Sequence, residues 1–129
     1  MKLRLFIISI MAFINAYVGI LFFKTNYPGT GIGLLVLSVG MFLNLIAVLS
    51  NNWQMPVFLK HIKEKKWIES NPNYNILNKK TKFKCLCDIY RYPYIYRNNF
   101  YIYSIGDYLI KIGRIIFFIA VTSYLILWR

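Results

Sequence analysis

Two long apolar runs near the start of the chain dominate its hydrophobic pattern. Residues 5–23 and residues 32–49 carry no charged side chain, and each run holds only one serine and one asparagine as strongly polar residues. At about 1.5 Å per residue, either run is long enough as an α-helix to cross a hydrocarbon core of about 30 Å. The connection between the runs is short, so residues 1–50 are predicted to form a transmembrane helical hairpin.

A third apolar run fills residues 105–129, but three charges interrupt its beginning. Asp107, Lys111 and Arg114 lie at i, i+4 and i+7, which places them on one face of a helix. Ser104 precedes Asp107 by three residues, the spacing of a capping box in which each residue's side chain bonds the other's backbone N–H. Long basic side chains on a helix point toward its N-terminus and can reach the interface. The run therefore predicts a third transmembrane helix. At its start, Ser104 and Asp107 form a cap, Asp107 pairs with Lys111, and the Lys111 and Arg114 side chains reach back to the interface.

The segment between the second and third runs, residues 51–104, is basic and aromatic. It carries ten Lys and Arg side chains against three acidic ones. Pro56 and the pattern after it predict a short helix over residues 57–68 that lies on the membrane surface. Residues 71–78 are predicted to be a loop. Alternation of apolar and polar residues over 82–89 predicts a strand, and the tyrosine-rich stretch that follows predicts a small β-hairpin.

These segments together predict an all-α membrane protein with three transmembrane helices. A basic surface module, made of a short interfacial helix and a small β-hairpin, separates the second helix from the third. The chain thus divides into a helical hairpin (1–50), the surface module (51–104) and a third helix (105–129). The composition supports this class over a soluble domain of 129 residues, because 58% of the residues are hydrophobic and the mean hydropathy is +0.48.

The net charge of +12 bears on the partners of the protein. A basic segment beside membrane spans usually meets anionic lipid headgroups, so nucleic acid is not needed to explain the charge. We expect membrane lipids and a membrane protein partner, and no nucleic acid; release from anionic vesicles at high salt would be the signature of lipid binding. The side chains predicted to contact headgroups or a partner are Lys111, Arg114, Lys60, Lys63, Lys65 and Lys66.

Cysteine and histidine offer little candidate chemistry. Cys85 and Cys87 form a C-x-C pair, but with one distant histidine, His61, they cannot supply the four ligands of a zinc site. Two reduced thiols on one side of a strand are the preferred interpretation, with redox use or shared metal binding as the alternative. We predict no metal site and no cofactor.

Three stretches of the chain, N-L-I-A-V-L-S-N-N-W-Q-M-P-V, I-L-N-K-K-T-K-F-K-C-L-C-D-I and Y-S-I-G-D-Y-L-I-K-I-G, resemble a family of small bacterial integral membrane proteins of unknown function. That family has N-L-x-V-x-x-N-G-G-x-M-P-V, T-x-L-x-x-L-x-D and S-I-G-D-x-L-x-x-x-G, and the match covers about residues 31–119. Asn52 and Trp53 stand where the family has glycines, and members often carry extra N-terminal spans. The resemblance implies no activity. The residues that fall on the pattern are Asn44, Asn51, Met55, Pro56, Val57, Thr81, Leu86, Asp88, Ser104, Gly106, Asp107 and Gly113.

A fainter likeness is to lipoprotein signal peptidases, which carry G-N-x-x-D at the end of one span and N-x-A-D at the start of the next. L-N-L-I-A and S-I-G-D are similarly placed here, but Ala47 stands at the position of the first aspartate. Aspartic chemistry needs two carboxylates, one acid and one base, so Asp88 would have to be the partner of Asp107. The sequence favours a non-enzymatic membrane component, with a membrane-embedded aspartyl hydrolase using Asp107 and Asp88 as the alternative. We expect Asp88 to lie on the module, far from Asp107.

Charge also predicts the orientation of the chain. In a three-span protein Lys2 and Arg4 lie on the same side as the module, and the positive-inside rule puts both in the cytoplasm, with Lys24 and Arg129 outside. The peptidase likeness implies the opposite orientation. We predict a multi-pass protein of the bacterial cytoplasmic membrane whose C-terminus is outside.

Overall fold

Three long helices dominate the structure. The computed structural model describes residues 2–59, 68–93 and 100–127. The helices are α1 (Lys2–Lys24), α2 (Pro28–Ser50) and α3 (Ile105–Leu127). Each helix contains a segment long and apolar enough to cross a membrane, which confirms the predicted three-helix architecture. Helix α2 begins before its apolar run because proline, with its fixed φ and missing N–H, suits the first helical position.

Helix α2 packs closely against α3, and glycines set the distance between them. A methyl group added at Gly40 would lie 2.5 Å from the carbonyl oxygen of Gly106, and one added at Gly113 would lie 2.7 Å from the carbonyl oxygen of Gly33. The two backbones are therefore in direct contact. In lipid, where apolar burial gives no driving force, such close packing of small residues is a main source of helix association.

Helix α1 packs on another side of α2 by a similar approach. A methyl group at Gly31 would lie 2.7 Å from the carbonyl oxygen of Gly19, and the rings of Phe13 and Phe42 meet edge to face with centroids 5.0 Å apart. The outward surfaces of α1 and α3 keep large apolar side chains exposed; Phe13 and Phe118, for example, are each 65% exposed. Such surfaces are what a lipid environment requires and water disfavours.

The module between α2 and α3 contains two small two-stranded sheets. Strand β1 (Met55–Val57) pairs in parallel with β2 (Tyr74–Ile76). Strand β3 (Tyr90–Pro93) pairs antiparallel with β4 (Phe100–Tyr103), and this pair agrees with the predicted hairpin. The parallel pair was not predicted, because its strands lie far apart in the sequence and each is only three residues long.

Two local predictions for the module are wrong, and the predicted short helix is wrong at its start although Ile68 is helical. Residues 71–78 are not only a loop, since they contain β2. The helix predicted over 57–68 cannot begin at its expected position, because Pro56 and Val57 belong to β1. The part of that prediction over residues 60–67 lies outside the described residues.

The strand predicted over residues 82–89 is replaced by a tight turn. Phe83 adopts a left-handed conformation (φ 48°) and a 3₁₀ turn follows at Lys84–Leu86. Successive residues of a 3₁₀ turn are rotated by about 120° instead of the 180° of a strand. The two cysteines consequently have different surroundings, with Cys85 exposed and Cys87 buried.

Candidate functional site

A cavity of about 260 Å³ lies where the module meets the helices. Helices α1 and α3 begin on this side of the molecule and α2 ends there, so the cavity sits at the boundary between the apolar spans and the module. Its walls bring together residues that are distant in the sequence. They are Ile8, Asn44, Leu45, Val48, Trp53, Met55, Asn73, Tyr74, Asp88 and Asp107.

Asp107 is held at the start of α3 by a ring of hydrogen bonds. Its Oδ2 accepts from the N–H of Ser104 at 3.1 Å, and its own N–H donates to the Ser104 hydroxyl at 3.0 Å, the two-way exchange of a capping box. Asn44 of α2 closes the ring: its amide donates to Asp107 Oδ1 at 2.8 Å and accepts from the Ser104 hydroxyl at 2.6 Å. Both carboxylate oxygens thus have N–H donors, which fixes the side chain at the cavity wall.

Asp88 reaches the cavity from the module. Its backbone forms a bridge to β1, donating from its N–H to the carbonyl of Pro56 at 3.0 Å and accepting from the N–H of Phe58 at 2.9 Å. The residue is only 7% exposed, and its Oδ1 has no hydrogen-bond partner among the described residues. Buried polar atoms are nearly always satisfied in folded proteins, so this unsatisfied, inaccessible oxygen disfavours the charged form of Asp88.

The electrostatics of the cavity leave Asp88 about half protonated near neutral pH. Burial, and then the negative charge of Asp107, raise the pKa of Asp88 to about 7. Burial and the charges of both aspartates also raise the pKa of Tyr74. The charge of Asp107 acts on Asp88, and the two carboxyl groups lie in different environments. Asp88 is the one whose pKa lies near physiological pH.

The expectation that Asp88 lies far from Asp107 is wrong. The bridge to β1 carries Asp88 over the end of α2, and both carboxyl groups line the one cavity. The sequence gives no warning of this, because the contact depends on the pairing of residue 88 with a strand thirty residues earlier. An aspartyl pair requires two carboxyl groups close enough to share a water or a proton, and the shared cavity brings the two residues to one site.

Asn51 positions the segment that leads to Asp88. Its side-chain N–H₂ donates to the carbonyls of Ala47 at 2.8 Å and Lys82 at 3.0 Å, and its Oδ1 accepts from the N–H of Lys82 at 2.9 Å. The end of α2 is thereby tied to the residues just before the 3₁₀ turn. Asn44 and Asn51 fall on the family pattern in the sequence, but the pattern alone indicates no site. Asn73 and Tyr74 carry no such signal, because they lie in a stretch predicted to be a loop.

The predicted cationic contacts lie apart from the cavity walls. Lys111 and Arg114 are exposed on α3, and the Lys111 ammonium lies 3.8 Å from the centroid of the Tyr103 ring. This cation–π contact replaces the expected ion pair with Asp107, which is not present in the described structure. Contact with headgroups or a partner stays a prediction for both residues. Four further predicted contacts lie outside the described residues: Lys60, Lys63, Lys65 and Lys66.

The thiols do not join the cavity as a pair. The Cys87 sulfur is 3.4 Å from the Phe83 carbonyl oxygen, and burial, with smaller contributions from Asp88 and Cys85, raises the pKa of this thiol to about 11. A thiol held protonated is a poor nucleophile. Within residues 2–59, 68–93 and 100–127, no group of three or more His, Cys, Asp or Glu side chains is placed to hold a metal ion.

Comparison with known proteins places the chain in a family but not in a function. A family described only as a family of unknown function, DUF5317, matches residues 2–119. No curated protein and no solved structure matches the chain. The site must therefore be interpreted from its own chemistry.

Proposed function

The chain belongs to a family of unknown function, DUF5317, and we propose that it is a membrane-interface hydrolase of the aspartyl type, using Asp88 and Asp107. The observation that carries the proposal is the presence of both carboxyl groups in the walls of one cavity. This reverses the preference drawn from the sequence, which rested on a structural explanation of Asp107 as a helix cap and on Ala47 standing where the peptidases have their first aspartate.

The two aspartates have the division of roles that aspartyl hydrolysis needs. Asp88, with its pKa raised to about 7, is the acid, and the charge that helps to raise it belongs to Asp107, which is the base. Asp107 takes a proton from a water molecule as the oxygen attacks the substrate carbonyl, and Asp88 gives its proton to the carbonyl oxygen. As the tetrahedral intermediate collapses, its hydroxyl group returns a proton to Asp88, and Asp107 gives the proton that it took from water to the leaving nitrogen. The products are a carboxylic acid and an amine, and both aspartates regain their starting protonation states.

The substrate class follows from the position of the cavity. Ile8, Leu45 and Val48 line it from helices that could span a membrane, whereas Asn73, Tyr74 and Asp88 line it from the module. A chain that is anchored in the bilayer and has an amide bond near the surface can place apolar groups against the first set and its amide against the second. The proposed substrate is therefore the peptide bond of a membrane-anchored polypeptide.

The test is hydrolysis by the purified full chain in nanodiscs, offered a set of membrane-anchored peptides in heavy-oxygen water. Cleavage that places heavy oxygen in the new carboxyl group is expected, with a rate that falls above about pH 7 as Asp88 loses its proton. Asp88→Asn and Asp107→Asn should each lower the rate at least about a hundredfold, because neither carboxyl group works alone.

A matched control makes the same chemical change elsewhere. Glu69→Gln alters an exposed carboxylate that does not line the cavity and should leave the rate unchanged. Cleavage that survives in both aspartate variants would rule out the aspartyl mechanism.

The exposure of Lys111 and Arg114 favours a second candidate, a non-enzymatic membrane component that binds anionic headgroups or a partner protein. The same variants separate the two candidates. A binding protein predicts no hydrolysis by the wild type, and salt-sensitive association with anionic bilayers that Asp88→Asn and Asp107→Asn leave intact.

A further inference from the structure

Trp53 lines the cavity together with Tyr74, and its backbone belongs to an unusual turn. Asn52 and Trp53 both adopt left-handed backbone conformations, with φ of 57° and 66°. Asparagine tolerates this region, but for a bulky residue such as tryptophan it is a genuine outlier. Strained conformations persist where the surroundings enforce them, and such positions cluster at ligand-binding sites.

Hydrogen bonds fix this turn on both sides. The N–H of Trp53 donates to the carbonyl of Val48 at 3.0 Å, and the N–H of Gln54 donates to the carbonyl of Asn51 at 3.2 Å. The Gln54 side chain then bonds the Pro72 carbonyl at 3.2 Å, next to the start of β2. The backbone that carries the indole is therefore fixed by hydrogen bonds, and the side chain itself is 40% exposed.

The size and lining of the cavity limit what can occupy it beside the scissile bond. A volume of about 260 Å³ is below the range of about 300–1,000 Å³ typical of sites for drug-sized ligands. Trp53 and Met55 line it from the module, and Leu45 and Val48 from α2, so large apolar side chains share the walls with the aspartates.

We propose that Trp53 determines specificity, by restricting the side chain next to the scissile peptide bond to a small aliphatic group. This inference rests on the proposed hydrolase function and adds to it the kind of residue that is accepted. Removal of the indole should open space for an aromatic side chain, and the preference should then move toward larger groups.

The test uses peptides in which a secondary alcohol replaces the scissile amide, because such an alcohol resembles the tetrahedral intermediate and binds between paired carboxyl groups. The series differs only in the side chain before the alcohol, which is methyl, isopropyl or benzyl. Binding to the full chain in nanodiscs is measured by calorimetry. We expect the wild type to bind the methyl or isopropyl compound at least tenfold more tightly than the benzyl compound.

Trp53→Ala should gain at least tenfold in affinity for the benzyl compound, and Trp53→Phe, the gentler change if the first variant folds poorly, should move in the same direction by less. The control is Phe83→Ala, which removes another exposed aromatic residue with positive φ from the module, at a position outside the cavity walls. It should leave the preference unchanged.

The possible failures are distinguishable. In one outcome, Asp88→Asn abolishes binding of the alcohols, but neither Trp53 variant changes the side-chain preference. That outcome would overturn the role of Trp53 and leave the hydrolase proposal standing. Absence of binding to the wild type across the series, or binding indifferent to Asp88→Asn and Asp107→Asn, would overturn both.

Discussion

Asn44 shows how one side chain can serve both packing and a site. An asparagine in an apolar helix is usually a contact that holds helices together, and Asn44 makes such a contact by bonding Ser104 and Asp107 across the α2–α3 interface. The same two bonds orient a carboxylate in the cavity wall. The spacing of Ser104 and Asp107 was enough to predict their mutual hydrogen bonds, because these depend on three residues of local sequence. The third partner comes from 63 residues away and could not be predicted in this way.

The raised pKa of Asp88 predicts an unusual dependence of stability on pH. The unfolded chain loses this proton near pH 3.8 and the folded chain near pH 7, so between these values the folded state binds more protons. Stability contributed by this group is therefore complete below about pH 3.8 and is lost as the pH rises to 7, by on the order of 4 kcal/mol at most. Asp88→Asn removes the penalty. Thermal unfolding in detergent should show the variant similar to the wild type near pH 4 and more stable at pH 8.

The groups that face Asp88 in the cavity bear on this prediction. Asp107 and Tyr74 are its titratable neighbours there, and Cys87 precedes it in the chain. The tyrosine and the thiol have raised pKa values and keep their protons over the pH range of the experiment. If Asp88→Asn is less stable than the wild type at pH 8, the assignment of a buried Asp88 with a raised pKa is contradicted.

At the scale of elements, the contact between α2 and α3 controls the geometry of the site. A methyl group at Gly106 would collide with the Asn44 side chain and lie 2.6 Å from the carbonyl oxygen of Gly40. The helices were predictable from their apolar runs, because length and hydropathy are enough to recognise a span. The short strands of the module were not, because each is only three or four residues long and acquires its structure from its partner.

Gly106→Ala should therefore damage the site as well as the packing. Overpacking of a close interface costs about 1–3 kcal/mol, and the helices must separate at the Asn44–Asp107 hydrogen bond. We expect a lower midpoint of unfolding in a detergent titration, together with a loss of hydrolysis. Gly29→Ala is the matched control at the other end of the same interface, where a methyl group would meet only the Ala120 side chain at 3.1 Å. Equal effects of the two substitutions would show that Gly106 has no special role.

At the scale of the whole molecule, the side of the membrane that the module faces would decide which substrates the proposed hydrolase reaches. The charge pattern predicts the cytoplasm, and the two cysteines provide a test, since Cys85 is exposed whereas Cys87 is buried. A membrane-impermeant maleimide should leave the protein unlabelled in intact cells and label it in inverted vesicles. Cys85→Ser should abolish that labelling, while Cys87→Ser should not. Labelling in intact cells would place the module outside.

The walls of the cavity also have a consequence for the making of the protein. Its residues come from positions 8, 44 to 55, 73 and 74, 88 and 107, so every segment from the first helix to the last contributes. While α3 is still in the ribosomal tunnel, Asp88 has already emerged but Asp107 has not. The glycines of α2 that contact α3 also have no helix to pack against at that stage. The two aspartates therefore meet only after translation has passed α3. An incomplete chain in the insertion machinery therefore lacks the site that the proposed hydrolysis requires.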